Sequence, residues 1–107
     1  MKVWVFEDNL IWSARLVQSL RAFGHEPEVV SAIPDGSADV AILNLSSPAF
    51  SDLVAALKSA GVYTIGHAGH KEKDLLQLGR KAGCDAVATN SELTFKLEKL
   101  LERVAEK

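Results

Sequence analysis

The chain has 107 residues, 48% of them hydrophobic and 24% charged, with a formal net charge of −2. That length holds one domain, residues 1–107, with one core, and the charge gives no bulk attraction to nucleic acid or an anionic membrane. No apolar run approaches the ~20 residues that a membrane helix needs, residues 1–4 lead into strand-like sequence without a signal-peptide pattern, and the one cysteine, Cys84, cannot close an internal disulfide. A reducing, cytoplasmic setting is expected from these features. Cys84 follows Gly83 and is expected to pack as a small apolar side chain.

Residues 2–6 (Lys-Val-Trp-Val-Phe) form a short apolar run typical of a strand buried on both faces. Asn9 is a plausible N-cap for a helix ending near Phe23, with Gly24 as its stop. Its expected inward stripe is Leu16, Leu20 and Phe23, flanked by Ala14 and Val17. A short strand is expected over 28–30. Pro34, Asp35 and Gly36 then predict turn and loop. Residues 39–43 predict the next strand. Ser51 is the expected cap of a helix carrying Leu53, Val54 and Leu57, and Gly61 ends it. A strand over 62–65 leads into a flexible loop, Gly66-His67-Ala68-Gly69-His70. A helix follows over 72–82, with Leu75, Leu78 and Ala82 inward. Gly79 inside it either weakens the helix by about 1 kcal/mol relative to alanine or admits a close neighbour. The last strand is expected over 85–88. Asn90 or Ser91 caps a final helix with Leu93, Leu97, Leu100, Leu101 and Val104 inward. Its outer face carries Lys96, Glu98, Lys99, Glu102, Arg103 and Glu106. Strand and helix alternate without repeats or low-complexity tracts, which implies a parallel sheet with right-handed crossovers and helices on both faces.

The first and third strands stop at polar residues: Glu7 and Asp8 after the first, Asn44 after the other. In a parallel sheet these residues would meet at the carboxyl edge, where open α/β folds place their sites. Glu7 and Asp8 could bind a divalent cation weakly; alternatively Asp8 helps cap the first helix and Glu7 is solvated. Asn44 is a metal or ligand contact through its carbonyl, or a structural hydrogen-bonding residue at a strand end. His67 and His70 flank a glycine-containing loop. They are a metal-binding pair or, more simply, a solvated pair with no third ligand in place. Trp12, in the first helical turn, is placed to lid the crevice, to join a partner surface, or to pack along the loop after Asn44. The loop after Ile65 lacks the phosphate-cradling glycine spacings.

Glu7-Asp8-Asn9, Asn44-Leu45-Ser46-Ser47-Pro48 and Ala82-Gly83-Cys84-Asp85-Ala86-Val87-Ala88-Thr89-Asn90 occur in order and on matching elements. In these stretches the chain resembles the receiver domain of two-component response regulators, the CheY-like phosphoacceptor module. The resemblance runs over nearly the whole chain. It implies a flavodoxin-like three-layer α/β/α sandwich with five parallel strands in the order 2-1-3-4-5. Between Val30 and Asp39 the chain is short, so the second helix is expected to be reduced or missing.

The resemblance also implies a phosphoryl-accepting pocket, and this chain departs from it. Glu7 and Asp8 match the family's metal-holding acidic pair. Asn44 stands where the family has its phosphoacceptor aspartate; a carboxamide is a poor nucleophile and carries no charge for a metal. The family's serine or threonine falls at His67, or at Ala68 if the loop is counted differently; a histidine in that position is an alternative pH sensor, since histidine as a residue type titrates near neutrality. Asn90 replaces the family's lysine, and Ser91 the proline after it. The pocket of Glu7, Asp8, Asn44, His67 and Asn90 is therefore expected to be degenerate: no catalytic residue, no cofactor, and Mg²⁺ held weakly at most. A carboxylate at position 44 would be expected to improve Mg²⁺ binding. The implied function is a non-phosphorylated pseudo-receiver that contacts a signalling protein, such as a histidine kinase or an output domain. The contact face expected from the resemblance includes Lys73, Arg80, Asp85, Thr89, Glu92 and Lys96. The alternatives are phosphotransfer at an atypical site such as Ser46 or Ser47, and a small ligand-binding protein or enzyme using the crevice.

Overall fold

Strands β1 (Lys2–Phe6), β3 (Val40–Asn44) and β4 (Tyr63–Ala68) are buried along most of their length, as continuous apolar runs require in a sheet covered on both faces. In the computed structural model, which describes residues 1–105, they form the centre of one parallel sheet. The short strands β2 (Glu26–Val29) and β5 (Ala86–Thr89) are its edges, giving the order β2-β1-β3-β4-β5. Helices α1 (Leu10–Ala22), α2 (Phe50–Ser59), α3 (Lys73–Ala82), α4 (Asn90–Phe95) and α5 (Leu97–Ala105) complete the fold. Residues 30–39 hold no helix, so the second crossover is a bare loop, as its length predicted. Glu106, expected on the outer face of the last helix, lies outside the described residues.

Alternation along the strands sorts the core into two layers. Val3, Val5, Val40, Ile42 and Ile65 pack with Leu16 and Leu20 of α1, Leu93 of α4, and Leu97 and Leu101 of α5. On the other face Trp4, Phe6, Ala41 and Leu43 pack with Val54 and Leu57 of α2. The register is regular: Val5 pairs with Ile42, Ile42 with Ile65, and Asn44 with His67.

Several local expectations are corrected. The buried stripe of α1 is Ser13, Leu16 and Leu20. Phe23 lies past the last helical turn, where Gly24 (φ 84°) redirects the chain, and is 46% exposed. Asn9 does cap α1: its Oδ1 accepts the Trp12 N–H at 3.0 Å. Helix α2 starts at Phe50 with no side-chain cap, so Ser51 is not its cap. In α3 the inward face is centred on Gly79, and Leu78, about 100° around the helix, is 47% exposed. A Cβ on Gly79 would lie 2.7 Å from Leu45 Cδ1, and one on Gly66 2.7 Å from Leu45 Cδ2. Both glycines therefore admit the buried Leu45 into the seam between α3 and the sheet. For that reason β4 runs on through Gly66, His67 and Ala68, all buried, where a flexible loop was expected.

The expected final helix is two helices, interrupted at Lys96 (φ −124°); no residue type at that point accounts for the break. Thr89, not Asn90 or Ser91, caps α4. Its Oγ1 accepts the Glu92 N–H at 3.1 Å, and Glu92 Oε1 accepts the Thr89 N–H at 3.0 Å. This reciprocal capping box satisfies two donors that would otherwise be free.

Candidate functional site: a polar chain at the carboxyl edge of the sheet

Each strand facing α1 and α4 ends its inward row with one polar side chain. Val5 is followed at two-residue spacing by Glu7, Ile42 by Asn44, Ile65 by His67, and Ala88 by Asn90. Period-two alternation thus carries all four side chains to the same face of the sheet. Asp8, one residue out of phase with Glu7, is exposed. The structure therefore joins four of the five expected pocket residues and leaves Asp8 on the lip of the cleft.

The four form a continuous chain. Asn90 Oδ1 lies 2.7 Å from His67 Nδ1. His67 Nε2 lies 3.3 Å from Glu7 Oε1. Asn44 Nδ2 donates to Glu7 Oε1 at 3.1 Å and approaches Oε2 at 3.4 Å. The Asn9 N–H donates to Glu7 Oε2 at 3.1 Å. Asn44 Oδ1 accepts from the Ser46 N–H at 2.9 Å and from Ser46 Oγ at 2.7 Å. Asn44 is thus a structural hydrogen-bonding residue whose two amide atoms are both engaged.

Two expectations about solvation are corrected. His67 is 1% exposed and Glu7 7%; neither is solvated. His70 lies exposed beyond the strand, so the two histidines form no pair. The Trp12 ring lies 5.4 Å from the His67 ring, tilted 44°, so Trp12 covers the imidazole. His67 Nε2 meets no partner in proper hydrogen-bond geometry. Its approach to Glu7 is accordingly a close contact and not a linear hydrogen bond. Burial pushes the Glu7 carboxyl up, but His67, the Asn9 amide and Asn44 together outweigh it and hold the group below the usual carboxylate value of 4.5.

The arrangement offers no activated nucleophile. Ser46 Oγ faces an amide oxygen, which accepts a hydrogen bond but is no general base. Burial and the neighbouring Asp85 raise the Cys84 thiol to about 11, leaving it protonated at neutral pH. Nor does the donor set fit a divalent metal. The Glu7 carboxylate already accepts from Asn9 and Asn44, and the His67 ring presses against Oε1 at 3.3 Å. The buried Nε2 is a nitrogen, which Mg²⁺ does not favour. Among the described residues no three His, Cys, Asp or Glu side chains gather as a metal would need.

Two depressions flank this chain. A cleft of about 330 Å³ is lined by Glu7, Asp8, Asn44, Ser46, Ser47 and Pro48 among others. A groove of about 440 Å³ between α1 and α4 is lined by Ile11, Trp12, Leu16, Asn90, Leu93 and Phe95 among others. Ile11 is 74% and Phe95 84% exposed.

The expected contact face divides. Lys73, Arg80 and Lys96 are exposed. Thr89 and Glu92 are tied into the capping box. Asp85 sits at the opposite end of β5: its Oδ2 accepts the Thr64 N–H at 2.8 Å and Thr64 Oγ1 at 3.2 Å, and Lys58 Nζ lies 3.5 Å from Oδ1. Asp85 is a structural tie at the amino edge of the sheet and not part of that face.

Sequence reasoning did not find the burial of His67, the role of Asn9 at Glu7, or the clamp of Ser46 on Asn44. The signal for His67 was present in its spacing from Ile65. The glycines around it obscured that signal.

No family model matches the chain, and no curated protein matches it significantly. Solved structures do. The receiver domain of a TMAO respiratory system response regulator aligns at 22% identity over 96% of this chain and 98% of its own, with a TM-score of 0.78. A CheY-like response regulator receiver domain protein from Methanospirillum hungatei JF-1 aligns at 21% identity over 98% and 94%, with a TM-score of 0.78. A response regulator receiver protein from Burkholderia phymatum aligns at 16% identity over 96% and 93%, with a TM-score of 0.81. At such identities the likeness establishes the fold: the chain is a flavodoxin-like α/β sandwich with the strand order and extent of response-regulator receiver domains.

Proposed function

We propose that the chain is a receiver-like signalling domain that works by protein–protein contact without accepting a phosphoryl group, and that it is not an enzyme. The observation that carries this reading is position 44. An amide stands at the end of β3, with its oxygen held by Ser46 and its nitrogen by Glu7. A phosphoryl acceptor there needs an anionic oxygen free to attack, and Asn44 has none. The exposed Ile11 and Phe95 around the groove between α1 and α4 add support, since clustered exposed apolar side chains mark contact surfaces. The partner is a signalling protein, either a histidine kinase or an output domain.

Incubation with a small phosphodonor and Mg²⁺, followed by intact-mass measurement, tests the reading. The expected spectrum shows no phosphoryl adduct. An acid-stable adduct on Ser46 or Ser47 would replace this reading with phosphotransfer at an atypical site.

A further inference from the structure

We propose that the buried imidazole of His67 takes the place of a divalent cation beside Glu7 at the end of β1, closing this cleft to Mg²⁺. The receiver fold implies a metal at that point; the side chains present contradict it. The proposal rests on the reading of the cleft as a non-phosphorylated site, and its test is separate from the test of that reading.

The argument begins with what Glu7 needs. Its carboxylate is 7% exposed, and a buried charge must be paired or hydrogen-bonded to be tolerated. An open receiver-like site would meet this need with a cation and its water shell, reached through the cleft. Here the need is met from within the chain. Asn9 donates from the start of α1, Asn44 donates from the end of β3, and His67 approaches from the end of β4. Asn9 comes from the N-cap of α1, and Asn44 and His67 from β3 and β4.

The ring of His67 is fixed so that it can only serve Glu7. Nδ1 donates to Asn90 Oδ1 at 2.7 Å, which sets the plane of the ring from α4. Trp12 covers it from α1 at 5.4 Å between ring centres. Nε2 lies 3.3 Å from Glu7 Oε1, outside hydrogen-bond geometry. The ring therefore fills the space on the Oε1 side of the carboxylate, where a cation would have to sit. Asp8 is exposed on the lip of the cleft and takes no part in the hydrogen bonds that hold Glu7.

This changes the expectation for position 44. Restoring a carboxylate there is not sufficient, because the obstruction is His67. Asn44→Asp should leave Mg²⁺ binding weak. Asn44→Asp combined with His67→Thr should bind Mg²⁺ at least tenfold more tightly than Asn44→Asp alone. A second pair, Asn44→Asp with His67→Ser, clears the same space with a smaller hydroxyl side chain and is measured if the threonine variant fails to fold. It should also bind at least tenfold more tightly.

The measurement is calorimetric titration with MgCl₂, with Trp12 fluorescence as a local reporter and circular dichroism to establish folding of each variant. Equal Mg²⁺ affinity in Asn44→Asp and in whichever folded double variant is measured would overturn the proposal. Such a result would leave the mass-spectrometric test of phosphorylation untouched. Conversely, a phosphoryl adduct on the wild-type chain would sink the proposed function without bearing on these affinities.

Discussion

Replacing His67 by alanine removes a buried neighbour of a carboxylate whose side chain is 3% exposed. Where the ring carries a proton on both nitrogens, the 3.3 Å separation of Nε2 and Oε1 at an effective dielectric of about 20 gives an attraction of about 5 kcal/mol. Desolvation of both groups offsets part of that, and breaking a buried pair by deleting one partner typically costs about 3–5 kcal/mol. Glu7 keeps the Asn9 N–H and Asn44 Nδ2, which places the expected loss near the lower end, about 3 kcal/mol. Glu7→Gln keeps the shape and removes the charge, so it should cost less, about 1–2 kcal/mol. The two changes together should cost less than their sum, by about 1.5 kcal/mol or more. Urea unfolding followed by tryptophan fluorescence measures all four proteins. With a slope of about 1.5 kcal/mol/M, a loss of 3 kcal/mol lowers the midpoint by about 2 M. Additive single changes, within about 0.5 kcal/mol, would refute the pairing of Glu7 with His67.

Acid should weaken the same contact. The folded Glu7 carboxyl lies below 4.5, since its three partners outweigh the effect of burial. Its contribution is therefore complete above the unfolded value and is lost as pH falls through the lower folded value. The stability difference between wild type and Glu7→Gln should shrink from about pH 6 to about pH 3, as read from urea midpoints; a constant difference would contradict the lowered value. Gly79→Ala should destabilise by about 1 kcal/mol despite a helix-propensity gain of similar size, because overpacking costs about 1–3 kcal/mol and the new Cβ meets Leu45 Cδ1 at 2.7 Å. In a Leu45→Ala background the same change should become neutral or stabilising in thermal unfolding. Arg80→Glu with Lys96→Glu should weaken capture of the partner in a pull-down while stability shifts by no more than about 0.5 kcal/mol, and Asn44→Ala should capture it normally. Loss of the partner only in Asn44→Ala would move the function to the cleft.

The order and type of most elements follow from the sequence because apolar runs and caps are local signals. Residues 3–6 are apolar on both strand faces, Asn9 caps α1, and the short stretch between Val30 and Asp39 leaves no length for a second helix, all of which the structure contains. The meeting of Glu7 and Asn44 at one edge also follows, since parallel strands that end in polar residues end together. Other features were decided only in three dimensions. Gly66 and Gly79 mark flexibility or weakness in a linear reading, yet both serve the entry of Leu45, a contact between residues far apart in sequence. Phe23 and Leu78 fit a helical stripe by spacing, but the end of α1 and the glycine-centred face of α3 leave them exposed. Asp85 lies next to β5 in sequence and at its amino end in space, so it ties Thr64 instead of facing a partner. His67 is the clearest case. Its type and its glycine neighbours describe a solvated loop, and only the sheet register, which sets it beside Asn44 and between Glu7 and Asn90, makes it the buried centre of the site. Pairing across strands fixes such a position, and no window of sequence contains the partner strands.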